Sequence, residues 1–230
     1  MHNRRALLII AVLFCTILFC LNVASINTNK PVYSSGEKED KKIAITFDDG
    51  PHPRITPEIL KILDKYGVKA TFFVIGINAK NYPEALSMVI NSGHEIGNHT
   101  YSHQVLKNKS KEEIIKEIIE TEKEISKSNE FSTTLIRPPC GFYDESLTSL
   151  AQENDYKIVL WSIDTHDWAH ASVENIVSVI TKNVKGGDII LFHDYISGEN
   201  NTPEALKIII PRLTKMGYEF VTVSELLQKV

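Results

Sequence analysis

Cysteine is almost missing from the body of this 230-residue chain: Cys15 and Cys20 fall in an apolar N-terminal run, and only Cys140 lies beyond it. A lone thiol cannot make an internal disulfide, so the fold of the body must be held by its core. A surplus of positive charge is also lacking. The net charge is −4, and because Arg4 and Arg5 are the only charges in residues 1–25, the remainder carries −6. Nucleic acid, which calls for a basic face, is therefore not an expected partner. A neutral or anionic polysaccharide remains compatible.

The long apolar run, Ala6 to Leu21, is broken only by Thr16 and follows Arg4-Arg5. That is the pattern of a signal peptide or a retained membrane anchor, and Val23-Ala24-Ser25 offers small residues for cleavage. The positive end stays inside, so the bulk of the chain is expected outside the cytoplasm, secreted or anchored to the outer face of the membrane and associated with the cell wall. Residues 1–26 are read as this targeting segment, 27–41 as a polar linker and 42–230 as one domain, expected as a monomer touching the membrane only through the N-terminal segment.

Within the domain, apolar runs alternate with amphipathic segments. Strands are expected at about 42–47, 70–75, 94–97, 134–137, 157–163, 188–192 and 218–223. Thr56-Pro57 reads as an N-cap followed by proline at the first helical position, and Thr202-Pro203 as the start of a helix to about Met216. Ser110 with Glu113 forms a capping box opening a helix to about Lys127. Seven such units suggest a parallel sheet. Asp48-Asp49, Asn98-His99, Arg137-Pro138-Pro139, Asp164 to Trp168 and His193-Asp194 all fall at strand ends. A closed barrel gathers such ends at one mouth, which favours a barrel over an open sheet.

The residue types at those ends suggest metal-assisted deacylation. His99 and His103 are four apart, a spacing that on a helical turn puts two imidazoles on one face. With Asp49 they make a three-ligand set with positions left open, as catalytic zinc sites have. The donors suit Zn2+, and Co2+, Ni2+ or Mn2+ fill similar sets. Such an ion acidifies water and polarises a carbonyl. The chemistry also needs a base, for which Asp48 is placed, a group to hold that base, for which Arg137 is suited, and an acid, for which His193 is available. Asp167 or Asp164 could keep His193 protonated. Taken singly, the paired acids also read as a helix cap with a solvated charge, and the histidines as surface residues.

Five segments together resemble the polysaccharide deacetylases, the NodB-homology domain of carbohydrate esterase family 4, over about Lys42 to Val223. Thr46 to Pro51 is similar to the first motif, which implies Asp48 as base and Asp49 as metal ligand. His99 to His103 resembles the second, with both histidines as ligands. Arg137-Pro138-Pro139-Cys140-Gly141 resembles the third, which lines the groove and orients the base. Asp164 to Trp168 resembles the fourth, with Asp167 tuning the acid and Trp168 walling the groove. Leu191-Phe192-His193 resembles the fifth, with Leu191 lining the acetyl pocket and His193 as acid. The resemblance implies a distorted (β/α)7 TIM-like barrel. It also implies N-deacetylation of an extracellular glycan, peptidoglycan amino sugars first and chitin oligomers second. One departure stands out: Cys140 occupies a position where the family usually has tyrosine. The backbone N–H there, which the resemblance implies as an oxyanion donor, survives the change, but an aromatic wall is lost. Rival readings are a xylan O-acetyl esterase, a glycosidase using Asp48 with a second carboxylate, and a silent glycan-binding domain.

Overall fold

The computed structural model describes residues 31–38, 40–127 and 132–228. Its centre is β2 (Lys42–Asp48), seven residues of which six are buried. On one side β2 pairs in parallel with β3 (Thr71–Val74), and on the other with β8 (Ile189–His193). Its first two residues pair instead with β9 (Glu219–Phe220). Beyond β3 come β4 (Glu95–Asn98), β5 (Leu135–Ile136), β6 (Lys157–Val159) and β1 (Val32–Tyr33); beyond β8 comes β7 (Ile163–Asp164). All these pairings are parallel.

Strand alternation decides what faces the site. Ile43, Ile45 and Phe47 point outward into the main core, where Phe47 stacks on Phe72 and Phe192 with ring centroids 4.8 and 5.8 Å away. Ala44, Thr46 and Asp48 take the opposite face, toward the barrel interior. The outer layer is made by amphipathic helices α1 (Ile55–Tyr66), α2 (Gly76–Asn81), α3 (Pro83–Asn91), α4 (Lys111–Ser126), α5 (Glu145–Glu153), α6 (Val173–Asn183) and α7 (Thr202–Lys215), with the single turn α8 (Val223–Leu226) near the end. The capping box at Ser110 and Glu113 forms as expected.

The parallel α/β barrel expected from the sequence is the architecture observed, with three local differences. The run 157–163 is two strands at opposite ends of the strand order, not one. Leu160 N–H donates to Tyr33 C=O (2.7 Å) on β1, whereas Ser162 N–H donates to Ile189 C=O (3.0 Å) on β8. The chain thus crosses from one sheet end to the other in three residues. It leaves the ladder there because the carbonyls of Val159 and Leu160 turn inward to accept from Arg137.

Part of the span 27–41, expected as a linker, belongs to the fold. Val32–Tyr33 is strand β1, Ser35 bridges Asp188, and Gly36 N–H donates to Gly187 C=O at 2.8 Å. The targeting segment read at 1–26 lies outside the described residues, among which no helix is long and apolar enough to cross a membrane.

Finally, Thr56 is not an N-cap, whereas Thr202 starts its helix as expected. Each lies inside its helix, fully buried, with its hydroxyl committed to a carboxylate at the barrel mouth.

Candidate active site

Asp48 ends β2 on its inner face and is 2 % exposed. Asp49 follows with φ of 73°, a left-handed turn that brings the second carboxylate to the same cavity as the first instead of the opposite face of the strand. The turn is packed tightly: a β-carbon on Gly50 would lie 2.2 Å from the carboxylate oxygens of Asp194. Thr56 Oγ1 donates to Asp194 (2.5 Å) and accepts from His52 N–H (2.7 Å), tying the turn to α1 and to the end of β8. Asp194 N–H donates to Asp48 C=O at 3.2 Å. Burial pushes the Asp194 carboxyl up to about 7.

The histidine pair is not on a helix. His99 and His103 sit on the loop after β4, where Thr100 and His103 take left-handed φ of 67° and 59°. The loop nevertheless brings the rings to 5.1 Å. His99 Nε2 is 3.3 Å and His103 Nε2 3.2 Å from Asp49 Oδ1. One donor atom from each of the three lies within 4.8 Å of the others, and Asp49 Oδ1 is buried with no hydrogen-bond donor. An orphaned carboxylate oxygen between two imidazole nitrogens fits a divalent cation. His99 Nδ1 meets Arg137 C=O at 2.8 Å, which fixes the tautomer that leaves Nε2 free to ligate. Without the ion, burial would raise Asp49, but the neighbouring imidazoles, His99 first, hold it below the usual carboxylate range. Burial would lower His99, yet the charges of Asp48 and Asp49 raise it, whereas His103 is lowered by burial.

Arg137 is buried, and its donors are spent on four acceptors. Nη1 donates to Asp48 Oδ1 (2.7 Å) and Thr46 Oγ1 (2.8 Å), Nε to Val159 C=O (3.1 Å) and Nη2 to Leu160 C=O (3.0 Å). Its guanidinium lies 4.0 Å over the Phe73 ring. A buried charge is tolerated when paired and hydrogen-bonded in this way.

His193 faces the cavity from the end of β8, and its partner is Asp167 rather than Asp164. Nδ1 is 2.8 Å from Asp167 Oδ1, and His193 N–H donates to Oδ2 at 2.7 Å. Asp167 also accepts from Trp168 N–H (2.9 Å) and Thr202 Oγ1 (2.6 Å). Burial alone would lower the imidazole. The hydrogen bond and charge of Asp167, with the charges of Asp48 and Asp49, outweigh it and raise His193 to about 9. Asp164 accepts instead from His166 N–H (2.8 Å) and Trp168 Nε1 (3.3 Å).

These groups surround a cavity of about 350 Å³. Cys140, Trp168 and Leu191 line it with the three metal-site residues, Asp48 and His193; Pro139 and Gly141 do not. Cys140 has φ of 57°. Among the described residues its N–H has no acceptor, leaving a donor at the cavity wall.

Several supporting residues escaped the sequence reading. Glu117 on α4 accepts from Tyr101 N–H (2.9 Å), Ser102 N–H (2.8 Å) and Ser102 Oγ (2.9 Å), pinning the loop between the two histidines. Asn78 Nδ2 donates to Asp49 C=O at 2.7 Å. Nothing in the spacing of Glu117 on a charged helix face marks it. Asp194 was visible only as a neighbour of His193.

Most of the chain is similar to known proteins. A family profile described as "Polysaccharide deacetylase" matches residues 35–159. A peptidoglycan-N-acetylglucosamine deacetylase of Bacillus cereus is 44 % identical over 191 residues, 82 % of this chain and 89 % of that protein. The peptidoglycan-N-acetylmuramic acid deacetylase PdaC of Bacillus subtilis is 38 % identical over 85 % of this chain and 41 % of its own length. A crystal structure of a peptidoglycan N-acetylglucosamine deacetylase in complex with 4-naphthalen-1-yl-N-oxidanyl-benzamide superposes with a TM-score of 0.84 at 38 % identity, covering 86 % of this chain and 94 % of that one.

Proposed function

The chain belongs to the polysaccharide deacetylase family, and from that premise we propose that it removes N-acetyl groups from an extracytoplasmic glycan, peptidoglycan amino sugars first and chitin oligomers second. The observation that carries this reading is the convergence of Asp49, His99 and His103 on one point, with Asp48 and His193 lining the same cavity. A glycosidase would have no use for that set.

The three ligands would hold a divalent cation, of which zinc suits one carboxylate and two imidazoles best; when bound, it supplies acidified water and a polarised amide carbonyl. The remaining steps belong to the chain's own groups. Asp48, with Oδ1 occupied by Arg137, presents Oδ2 to take the proton of the attacking water. Cys140 N–H donates to the carbonyl oxygen as negative charge develops on it. His193 gives its Nε2 proton to the departing amine, and Asp167, fixed at Nδ1, keeps it charged beforehand. Leu191 offers the acetyl methyl an apolar wall, and Trp168 bounds the sugar.

Acetate release from peptidoglycan and from chitin oligomers, with and without a chelator, tests the reading. Chelator-sensitive release is expected from both, the faster substrate naming the preferred glycan. Release that ignores the chelator would defeat the metal assignment. Acetate from xylan alone would favour the O-esterase reading. The anchor or signal read at residues 1–26 would put this activity at the outer face of the membrane or in the wall.

A further inference from the structure

The exposed large apolar side chains of the described residues divide by type. The aliphatic ones lie mostly on helices. The aromatic ones, Phe142 (53 % exposed), Tyr143 (36 %), Trp168 (52 %) and Tyr195 (39 %), all follow the carboxyl ends of strands, the end of the sheet that carries the cavity. Trp168 belongs to the site already described. The other three do not line the cavity, and no step above uses them.

Their placement has a direction. Cys140 lines the cavity on the β5 side, and Phe142 comes two residues later. His193 lines it on the β8 side, and Tyr195 comes two residues later. In the strand order β1-β6-β5-β4-β3-β2-β8-β7, β5 and β8 stand four places apart, so the two aromatic sites flank opposite sides of the mouth. Tyr195 is also braced. Its ring centroid is 5.1 Å from that of His52, which is 6.4 Å from that of Tyr82. His52 is held in turn by Arg54 N–H and Ile55 N–H, which donate to its Nδ1 at 3.2 and 3.1 Å. An exposed ring held against a fixed neighbour is a preorganised contact, with little rotamer freedom left to lose on binding.

A protein partner would favour one contiguous apolar patch. Here the aromatic surface is split, with a polar catalytic cavity between the halves. The cavity, about 350 Å³, is near the lower end of ligand pockets and has room for one sugar unit, not a chain. Sugar rings present a face of C–H bonds that packs on aromatic rings. Aromatic sites on either side of a one-sugar cavity match a linear glycan that enters on one side and leaves on the other.

We propose that Phe142 with Tyr143, and Tyr195 braced by His52, are stacking platforms for the sugars on either side of the unit being deacetylated, so that the enzyme works within glycan chains in preference to their ends. This rests on the glycan reading of the cavity.

The test is the ratio of kcat/KM for the chitin hexasaccharide to that for the disaccharide. In the native enzyme the ratio should exceed ten. Tyr195→Ala and the double variant Phe142→Ala/Tyr143→Ala should each lower it at least five-fold, mainly through KM, while Tyr195→Phe should retain it. Normal acetate release with an unchanged ratio in both alanine variants would overturn the platforms and leave the deacetylase reading standing. If neither oligomer released acetate, that reading would fail instead, and calorimetric titration with the hexasaccharide would decide the platforms alone. A Kd raised at least five-fold by the alanine variants supports them, and an unchanged Kd overturns them.

Discussion

Asp167→Asn is the most informative single change, because Asp167 is buried and accepts four hydrogen bonds, all from donors: His193 Nδ1, His193 N–H, Trp168 N–H and Thr202 Oγ1. An amide of the same shape replaces one accepting oxygen with an NH2 group, which must face two of those donors. At about 1–3 kcal/mol for each buried group left unsatisfied, the cost is roughly 2–6 kcal/mol. A chain of this size loses about 2–4 °C of Tm per kcal/mol, so a fall of roughly 4–24 °C is expected by calorimetry. The pH effect is more diagnostic. His193 stands at about 9 because Asp167, seconded by Asp48 and Asp49, outweighs burial; without the Asp167 charge, burial should return it to 6.5 or below. Since the imidazolium is the required acid, activity is present below the folded pKa and lost as pH rises through it. The alkaline limb of kcat/KM should therefore move down by about two units or more. At pH 7.5 the protonated fraction would drop from nearly all to about a tenth, a loss of about ten-fold, regained in part toward pH 6. A bound cation lowers His193 in both proteins, so the difference between them is the measured quantity. The same linkage predicts that His193 stabilises the native fold fully below about 6.5 and loses that contribution between 6.5 and about 9. An alkaline limb that stays in place in Asp167→Asn would refute the reasoning.

Three further outcomes are expected. Asp49→Ala should lose metal and activity together, whereas Asp48→Asn should retain metal, measured by atomic absorption, and lose about 10²–10⁴ in turnover; equal metal loss in both would collapse the division between ligand and base. Arg137→Met should destabilise the fold by about 3–5 kcal/mol in urea melts, because it leaves the buried Asp48 charge without its partner, and a cost under about 1 kcal/mol would contradict that pairing. Glu117→Ala should weaken metal binding about 10–100-fold in chelator competition, the usual cost of removing a group that orients a ligand, while Glu117→Gln, which can still accept from Tyr101 and Ser102 N–H, should recover most of it.

What the sequence discloses and what it hides divide along physical lines. Period-two alternation in β2 is strictly local, so the inward face of Thr46 and Asp48 follows from Ile43, Ile45 and Phe47 facing out. The convergence of strand ends follows from counting parallel units, and it is enough to bring residues 48 and 193 to one mouth. Loop conformation is not local in this sense. The spacing of His99 and His103 suits a helical turn, but the loop turns left-handed at Thr100 and His103, with Thr100 N–H donating to Asn98 and the N–H groups of Tyr101 and Ser102 donating to Glu117 on a later helix. The break in 157–163 is likewise imposed from a distance, by an arginine twenty residues upstream that takes two of its carbonyls.

The two Thr-Pro pairs show how a local signal can mark a helix start and yet serve a second purpose. Both do mark helix starts, but a capping threonine would spend its hydroxyl on its own helix. Thr56 Oγ1 donates its hydrogen bond to Asp194, and Thr202 Oγ1 donates to Asp167. The two recipients lie on either side of the catalytic machinery: Asp194 supports the turn that carries Asp49, and Asp167 holds the acid His193. The first turns of α1 and α7 are therefore built toward the barrel mouth. Each also brings the positive end of its helix close to a buried carboxyl group that must stay in place. The fold thus places the helix N-termini that flank β2 and β8 where the site concentrates negative charge, and the core on the far side of the same helices fixes them there. The packing of α1 against α7 thus joins the support of the metal turn to the support of the acid, while Asn78 on α2 and Glu117 on α4 hold the same turn and the histidine loop from the other side.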